Sequence, residues 1–146
     1  MSRSQSQRQA LNIRKSLFDQ GFLDDQFVQL EDLQDEANPN FVEECVTLFY
    51  SDSVRLIHNI EHTLDSRPVN FNRLEDLVHQ FKGSCSSIGA KKVKNECNQL
   101  REYCMSGNAE GCIRTFQRVK QELAVLRRKL ESYFQMAQQA GASANA

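Results

Sequence analysis

The sequence has little that would interrupt helices or cross-link the chain. It contains no tryptophan, and only two prolines and six glycines among its 146 residues. No apolar run approaches the roughly 20 residues that a membrane-spanning helix needs, and no signal-like apolar stretch follows Met1. The five cysteines form an odd set without a CxxC or CxxH pair, which argues against a disulfide framework and a zinc site. We therefore expect an intracellular, non-membrane protein whose cysteines are small buried apolar groups.

Charge of either sign is also not in excess. Eighteen basic and 19 acidic residues give a net charge of −1, whereas a dedicated nucleic-acid binder needs a basic surface for its phosphate contacts. Proteins or small ligands are better candidate partners than nucleic acid. The basic, acid-free start from Met1 to Ser16 has the composition of a transit peptide, but an amphipathic helix is the preferred interpretation.

Apolar residues recur at steps of three and four along most of the chain, and no stretch alternates as a strand does. The connections between the last four segments are short, so successive helices should run antiparallel. The sequence predicts an all-α fold, an up-down-up-down antiparallel four-helix bundle with two additional N-terminal helices. Asn38 and Pro39 are expected to cap and begin the third helix. We expect one domain over residues 1–136, a disordered tail over 137–146, and helices at about residues 4–19, 24–34, 39–65, 71–88, 90–106 and 109–136.

The predicted helix over residues 71–88 carries a candidate reactive group. Its apolar residues fall on one arc of a helical wheel, and His79 lies roughly 150° from the centre of that arc, so it should face solvent. Lys82 and Gly83 lie one turn away, although a glycine inside a helix costs about 1 kcal/mol relative to alanine. A largely neutral imidazole can act as a nucleophile, and a nearby cation stabilises a transferring phosphoryl group. The pattern favours phosphoryl transfer; a merely solvated surface histidine is the alternative, which periodicity alone prefers.

The run from His79 to Ala90 reads HQFKGSCSSIGA. It resembles the His-Gln-x-Lys-Gly-Ser-Ser motif of plant-type histidine-containing phosphotransfer proteins, and the similarity continues through Val93-Lys94-Asn95 and, more loosely, to about Phe134. Cys85 stands where this family usually has serine. Because Cys85 lies in the apolar arc, we expect an effect on packing and little change in chemistry.

The resemblance implies a role for each residue of the motif. His79 would be the phospho-accepting histidine and Lys82 would steady the phosphoryl group. Gly83 would leave room for the partner, and Gln80 and Ser84 would shape the site or hydrogen-bond within it.

The resemblance also implies a place in a multistep phosphorelay, one that in plants includes cytokinin receptors. The phosphoryl group would arrive from the receiver-domain aspartate of a hybrid histidine kinase and leave for the aspartate of a response regulator. The chain would be a phosphocarrier and not an enzyme with its own ATP site. It would need no cofactor, since Mg²⁺ would come with the receiver partner, and it would act as a monomer in cytoplasm and nucleus. Some family members lack the histidine and only compete for partners, so a non-catalytic helical adaptor is the alternative function.

Three other patterns carry weaker hypotheses. The glycines of the segment 83–91 are separated by five residues, not the four of a phosphate-binding P-loop, and the preceding segment is helical. His58 and His62 share a helix face but have no third metal ligand, so we interpret them as a solvated pair. Lys91, Lys92 and Lys94 form a basic cluster near the motif that is expected to attract an acidic receiver surface.

Overall fold

The computed structural model describes residues 2–144, and all regular structure within them is helical. Helices α3 to α6 pack as consecutive neighbours, and α6 also contacts α3, which closes a four-helix bundle. Helix α1 packs along α6, and α2 packs against α3 and α4. The predicted all-α bundle with two additional N-terminal helices is confirmed. The helices are α1 (Arg3–Asp19), α2 (Asp25–Leu33), α3 (Phe41–Asp65), α4 (Phe71–Ile88), α5 (Lys91–Met105) and α6 (Ala109–Ala144).

The core follows from the apolar stripes of these helices. Each bundle helix buries its stripe against its neighbours, and fully burying one large aliphatic or aromatic side chain contributes about 1.5–3 kcal/mol. The largest side chains that are almost fully buried include Phe27, Leu56, Phe81, Leu126 and Leu130. Because α4 buries its whole apolar arc in this core, its opposite face remains exposed to solvent.

Helix α4 begins at a side-chain cap and ends at a glycine in the left-handed conformation. The Asn70 side chain accepts a hydrogen bond from the Arg73 amide at 3.1 Å, which satisfies one of the free amides of the first turn. At the other end Gly89 has a φ of 75°, a conformation that favours glycine, and the Ala90 amide bonds to the Cys85 carbonyl at 2.9 Å. The helix that carries His79 therefore begins and ends at positions that its own sequence specifies.

The prediction that Asn38 caps α3 is wrong. The helix begins at Phe41, and Asn40 occupies the cap position without a side-chain hydrogen bond. The Gln34 side chain accepts from the Val42 amide at 3.1 Å instead. An acceptor that comes from the end of α2 replaces the local cap, and residues 35–38 form a turn.

The prediction of a disordered tail from residue 137 is also wrong over the described part of that segment. Helix α6 continues to Ala144, and residues 145–146 lie outside the described residues. Alanine and glutamine are good helix formers, and two glutamines find partners on other helices. Gln138 donates to the Glu43 carboxylate at 2.8 Å, and Gln139 accepts from Ser6 at 3.4 Å.

Candidate functional site

The exposed face of α4 presents the motif identified in the sequence. Leu77, Val78 and Phe81 point into the core, whereas His79 and Gln80 are exposed. The predicted exposure of His79 is confirmed. Val78 and Phe81, which flank His79 along α4, are buried in the core and fix the position of the helix. The imidazole is therefore held on a rigid helix and remains accessible to another protein.

Gly83 leaves an open patch one turn beyond His79. A Cβ atom added there would meet no heavy atom within 4 Å. Packing inside the chain therefore does not require a glycine at this position, although the residue lowers helix propensity. The position is open to solvent and leaves bare backbone surface one turn from the imidazole.

Lys82 and Ser84 are half-buried on the two flanks of this face. Lys82 forms no ion pair with any residue between 2 and 144, so its charge is available to an anion. The Ser84 carbonyl accepts a hydrogen bond from the Ser87 hydroxyl at 2.6 Å. The structure thus brings together on one helix the five residues that the sequence singled out.

The three lysines after Gly89 do not share one surface. Lys94 lies on the side of α5 that faces α4, where its charge acts on the Cys85 thiol. Lys92 points to the other side, with its ammonium 4.4 Å from the centre of the Phe22 ring. Lys91 is exposed at the start of the helix. The predicted basic cluster is therefore divided, and Lys94 is the member best placed to act with the α4 face.

A groove that sequence reasoning missed lies beside the motif. It runs between α2, α3 and α4, has a volume of about 680 Å³, and has Leu30, Phe49 and Ile88 among its lining residues. Ser84 forms part of its edge, and Leu48 lines it while remaining 70% exposed. The available signal was that Leu48 is a large apolar residue outside the apolar stripe of α3. We refer to this surface as the Leu48 groove.

The alternative sites find no support in the described residues. His58 and His62 are both exposed, and no group of three metal-ligating side chains occurs between residues 2 and 144. The segment that precedes Gly83 is helix α4, so a P-loop, which follows a strand, is excluded. Within the same residues, no helix is both long enough and apolar enough to cross a bilayer.

The cysteines lie in or at the edge of the core as free thiols. Cys85, Cys97, Cys104 and Cys112 are buried, Cys45 is half-buried, and none is in a disulfide. The Sγ atoms of Cys104 and Cys112 lie 3.8 Å apart across the α5–α6 turn. Burial raises the pKa of Cys85 and Cys104, which keeps both as neutral thiols.

Comparison with known proteins agrees with this architecture. The Hpt domain model matches residues 44–129. The chain is 59% identical over 127 residues to histidine-containing phosphotransfer protein 4 of Arabidopsis thaliana, which covers 87% of this chain and 98% of the relative. A crystal structure of a histidine-containing phosphotransfer protein from Medicago truncatula matches with a TM-score of 0.90 at 40% identity, over 94% of each chain. A helical bundle that displays a histidine on its surface is thus the class of protein found here, and the chain belongs to the plant histidine-containing phosphotransfer family.

Some relatives carry a different name. The chain is 58% identical over 139 residues to pseudo histidine-containing phosphotransfer protein 5 of Oryza sativa subsp. japonica, which covers 95% of this chain and 91% of the relative. Similarity alone therefore does not separate a phosphocarrier from a pseudo member. This chain has a histidine at position 79.

Proposed function

We propose that His79 receives a phosphoryl group from the aspartyl phosphate of a receiver domain and passes it to the aspartate of a response regulator. A ring nitrogen of His79 attacks phosphorus, an N–P bond forms, and the P–O bond to the aspartate breaks, releasing the carboxylate. The reverse exchange with the next receiver restores the free imidazole. The observation that carries the proposal is an exposed imidazole next to the open surface at Gly83.

The neighbouring residues assist by position and charge. Lys82 offers a cation one turn away, and phosphoryl transfer depends largely on positioning and on stabilising the charge of the peripheral oxygens. Gln80 and Ser84 offer hydrogen-bonding groups on the side of the Leu48 groove. This groove would receive an apolar surface of the receiver, which would bring its aspartate to His79. The receiver would also contribute the Mg²⁺ ion, and no ATP site of the chain's own is needed.

The partners and setting form part of the proposal. A hybrid histidine kinase would deliver the phosphoryl group, cytokinin receptors being one such class, and a response regulator would accept it. A monomer in both cytoplasm and nucleus suits a carrier that must free the same face for successive partners.

A non-catalytic adaptor is the second candidate, because relatives named as pseudo proteins reach 58% identity. One assay separates the two functions. The protein is incubated with a receiver domain labelled with ³²P at its aspartate, and label that is stable in base and labile in acid is followed. A carrier acquires this label and a His79→Gln variant does not. Equal labelling of both proteins would move the site elsewhere, and labelling of neither would favour the adaptor.

A further inference from the structure

A second concave surface lies between α1 and α6, on the side of the bundle away from His79. Helices α4 and α6 lie diagonally opposite each other in the bundle, without close backbone approach within the described residues, and His79 is exposed on α4. The groove has a volume of about 440 Å³. Ile13 contributes apolar surface, and the other lining residues all carry hydrogen-bond donors: Asn12, Ser16, Arg128, Lys129 and Ser132. No acidic side chain is among the residues that line it.

The two cations of this α1–α6 groove have no carboxylate partner among the described residues. Neither Arg128 nor Lys129 forms an ion pair with any residue from 2 to 144. Other cations of the same helix are neutralised at N–O distances of 3.0 to 3.7 Å, in the pairs Arg118–Glu96, Lys120–Glu61 and Arg127–Glu131. Arg114, an exposed cation of the same helix outside the groove, also has no ion pair within the described chain, so the groove differs from the rest of α6 in combining two unpaired cations with a lining free of acidic side chains.

A third cation, Lys92 of α5, does not line the groove but contacts the same aromatic ring as Lys129. The ammonium groups of Lys92 and Lys129 lie 4.4 and 5.6 Å from the centre of the Phe22 ring, so they are at most 10.0 Å apart. Phe22 is only 4% exposed, and its carbonyl accepts a hydrogen bond from the Lys91 amide at 3.0 Å. The aromatic ring offsets part of the repulsion, but like charges within about one Debye length still repel. An anion bound beside Lys129 would offset this repulsion.

We propose that the α1–α6 groove binds a small organic phosphomonoester. The phosphate would lie against Arg128 and Lys129, because a guanidinium matches two phosphate oxygens at once. The Ser132 hydroxyl and the Asn12 amide would donate to the remaining oxygens. The organic part would pack on Ile13, and the volume falls within the range of about 300–1,000 Å³ that small-molecule sites have. Binding here would leave the His79 face free.

The proposal is tested by nuclear magnetic resonance titration of the ¹⁵N-labelled full chain with phenyl phosphate, inorganic phosphate and phenol. Phenyl phosphate is expected to shift the amide signals of the groove and to bind at least fivefold more tightly than inorganic phosphate, while phenol produces no such shifts. Arg128→Gln is expected to weaken binding at least tenfold. Arg114→Gln is the matched control, because Arg114 is an exposed cation of the same helix outside the groove.

A second variant tests the same groove by adding a negative charge to it. Ser132→Glu places a carboxylate in the groove and is expected to abolish binding, with the folding of each variant checked by circular dichroism. Equal affinity of Arg128→Gln and Arg114→Gln would overturn the site. Inorganic phosphate that binds as well as phenyl phosphate would overturn the organic part of the ligand. Binding to phosphatidylserine vesicles that phenyl phosphate does not displace would assign the groove to a membrane surface instead.

Discussion

Gly89 packs directly against Asp24, and this contact joins the end of the reactive helix to the start of α2. The Asp24 amide donates to the Gly89 carbonyl at 3.0 Å, and a Cβ on Gly89 would lie 2.5 Å from the Asp24 Oδ1 atom and 2.8 Å from the Phe27 amide nitrogen. The Asp24 side chain in turn caps α2 by accepting from the Gln26 amide at 3.0 Å. Position 89 therefore has no room for a side chain.

We expect Gly89→Ala to destabilise the fold by at least about 2 kcal/mol, because strain at a positive φ adds to steric overlap with backbone. Gly21→Ala is the matched control. Gly21 has a φ of 77°, but a Cβ there meets nothing within 4 Å, so its substitution should cost only about 1 kcal/mol. Urea unfolding followed by circular dichroism measures both values. Similar losses for the two variants would show that the contact with Asp24 contributes nothing.

The contrast between these two glycines shows what the sequence can and cannot reveal. Helical periodicity is a local property, so the six helices and the outward direction of His79 are predictable from spacing. The contact between Gly89 and Asp24, and the acceptor that Gln34 provides for α3, join segments that only the tertiary fold brings together. The same limit applies to the Leu48 groove, since three helices form it and one helical wheel shows only that Leu48 is outside the stripe.

Substitutions of Gly83 should change the stability of the folded chain and the rate of phosphoryl transfer from a receiver independently of each other. Gly83→Ala is expected to stabilise the chain by about 0.5–1 kcal/mol, because the position is open and alanine favours the helix. Gly83→Leu should also fold but should slow transfer from a phosphorylated receiver at least tenfold, since its side chain occupies the approach to His79. Phosphoramidate, a small phosphate donor, should label His79 equally in the unaltered chain and in both variants. A Leu variant with normal transfer from the receiver would remove the proposed role of the open patch.

Leu48 should matter for docking and not for folding. Leu48→Ser is expected to raise the receiver concentration needed for half-maximal transfer by about tenfold, because burying one leucine contributes about 1.5–3 kcal/mol. Val54→Ser, which changes another exposed apolar residue of α3 outside the Leu48 groove, is the control and should leave transfer unchanged. Neither variant should alter the urea midpoint by much. An equal effect of both variants would mean that general surface hydrophobicity, and not this groove, governs the rate.

Lys94 and Lys92 should differ in their effect on transfer. Lys94→Gln is expected to slow transfer severalfold at low salt and less at about 0.2 M salt, because opposite charges steer association and salt screens them. Lys92→Gln removes the same charge from the side of α5 that faces Phe22 and should have a smaller effect. Stopped-flow mixing with a phosphorylated receiver at the two salt concentrations gives the comparison. If both variants transfer at the normal rate under low salt, the lysines do not steer the receiver.

The thiols should be almost unreactive in the folded protein. Thiolates are the reactive species, and burial raises the pKa of Cys85, Cys104 and Cys112, while partial burial and the nearby Glu44 raise that of Cys45. A coloured aromatic disulfide reagent at neutral pH is expected to modify no more than one thiol slowly in the native state, with half-buried Cys45 the reactive one, and all five in denaturant. Cys45→Ser should abolish the native reaction and leave four thiols after unfolding. Rapid modification of two or more thiols in the native state would instead show that the interfaces between α5 and its neighbouring helices open to solvent. In that case Cys85 would have more than the packing role inferred from its position.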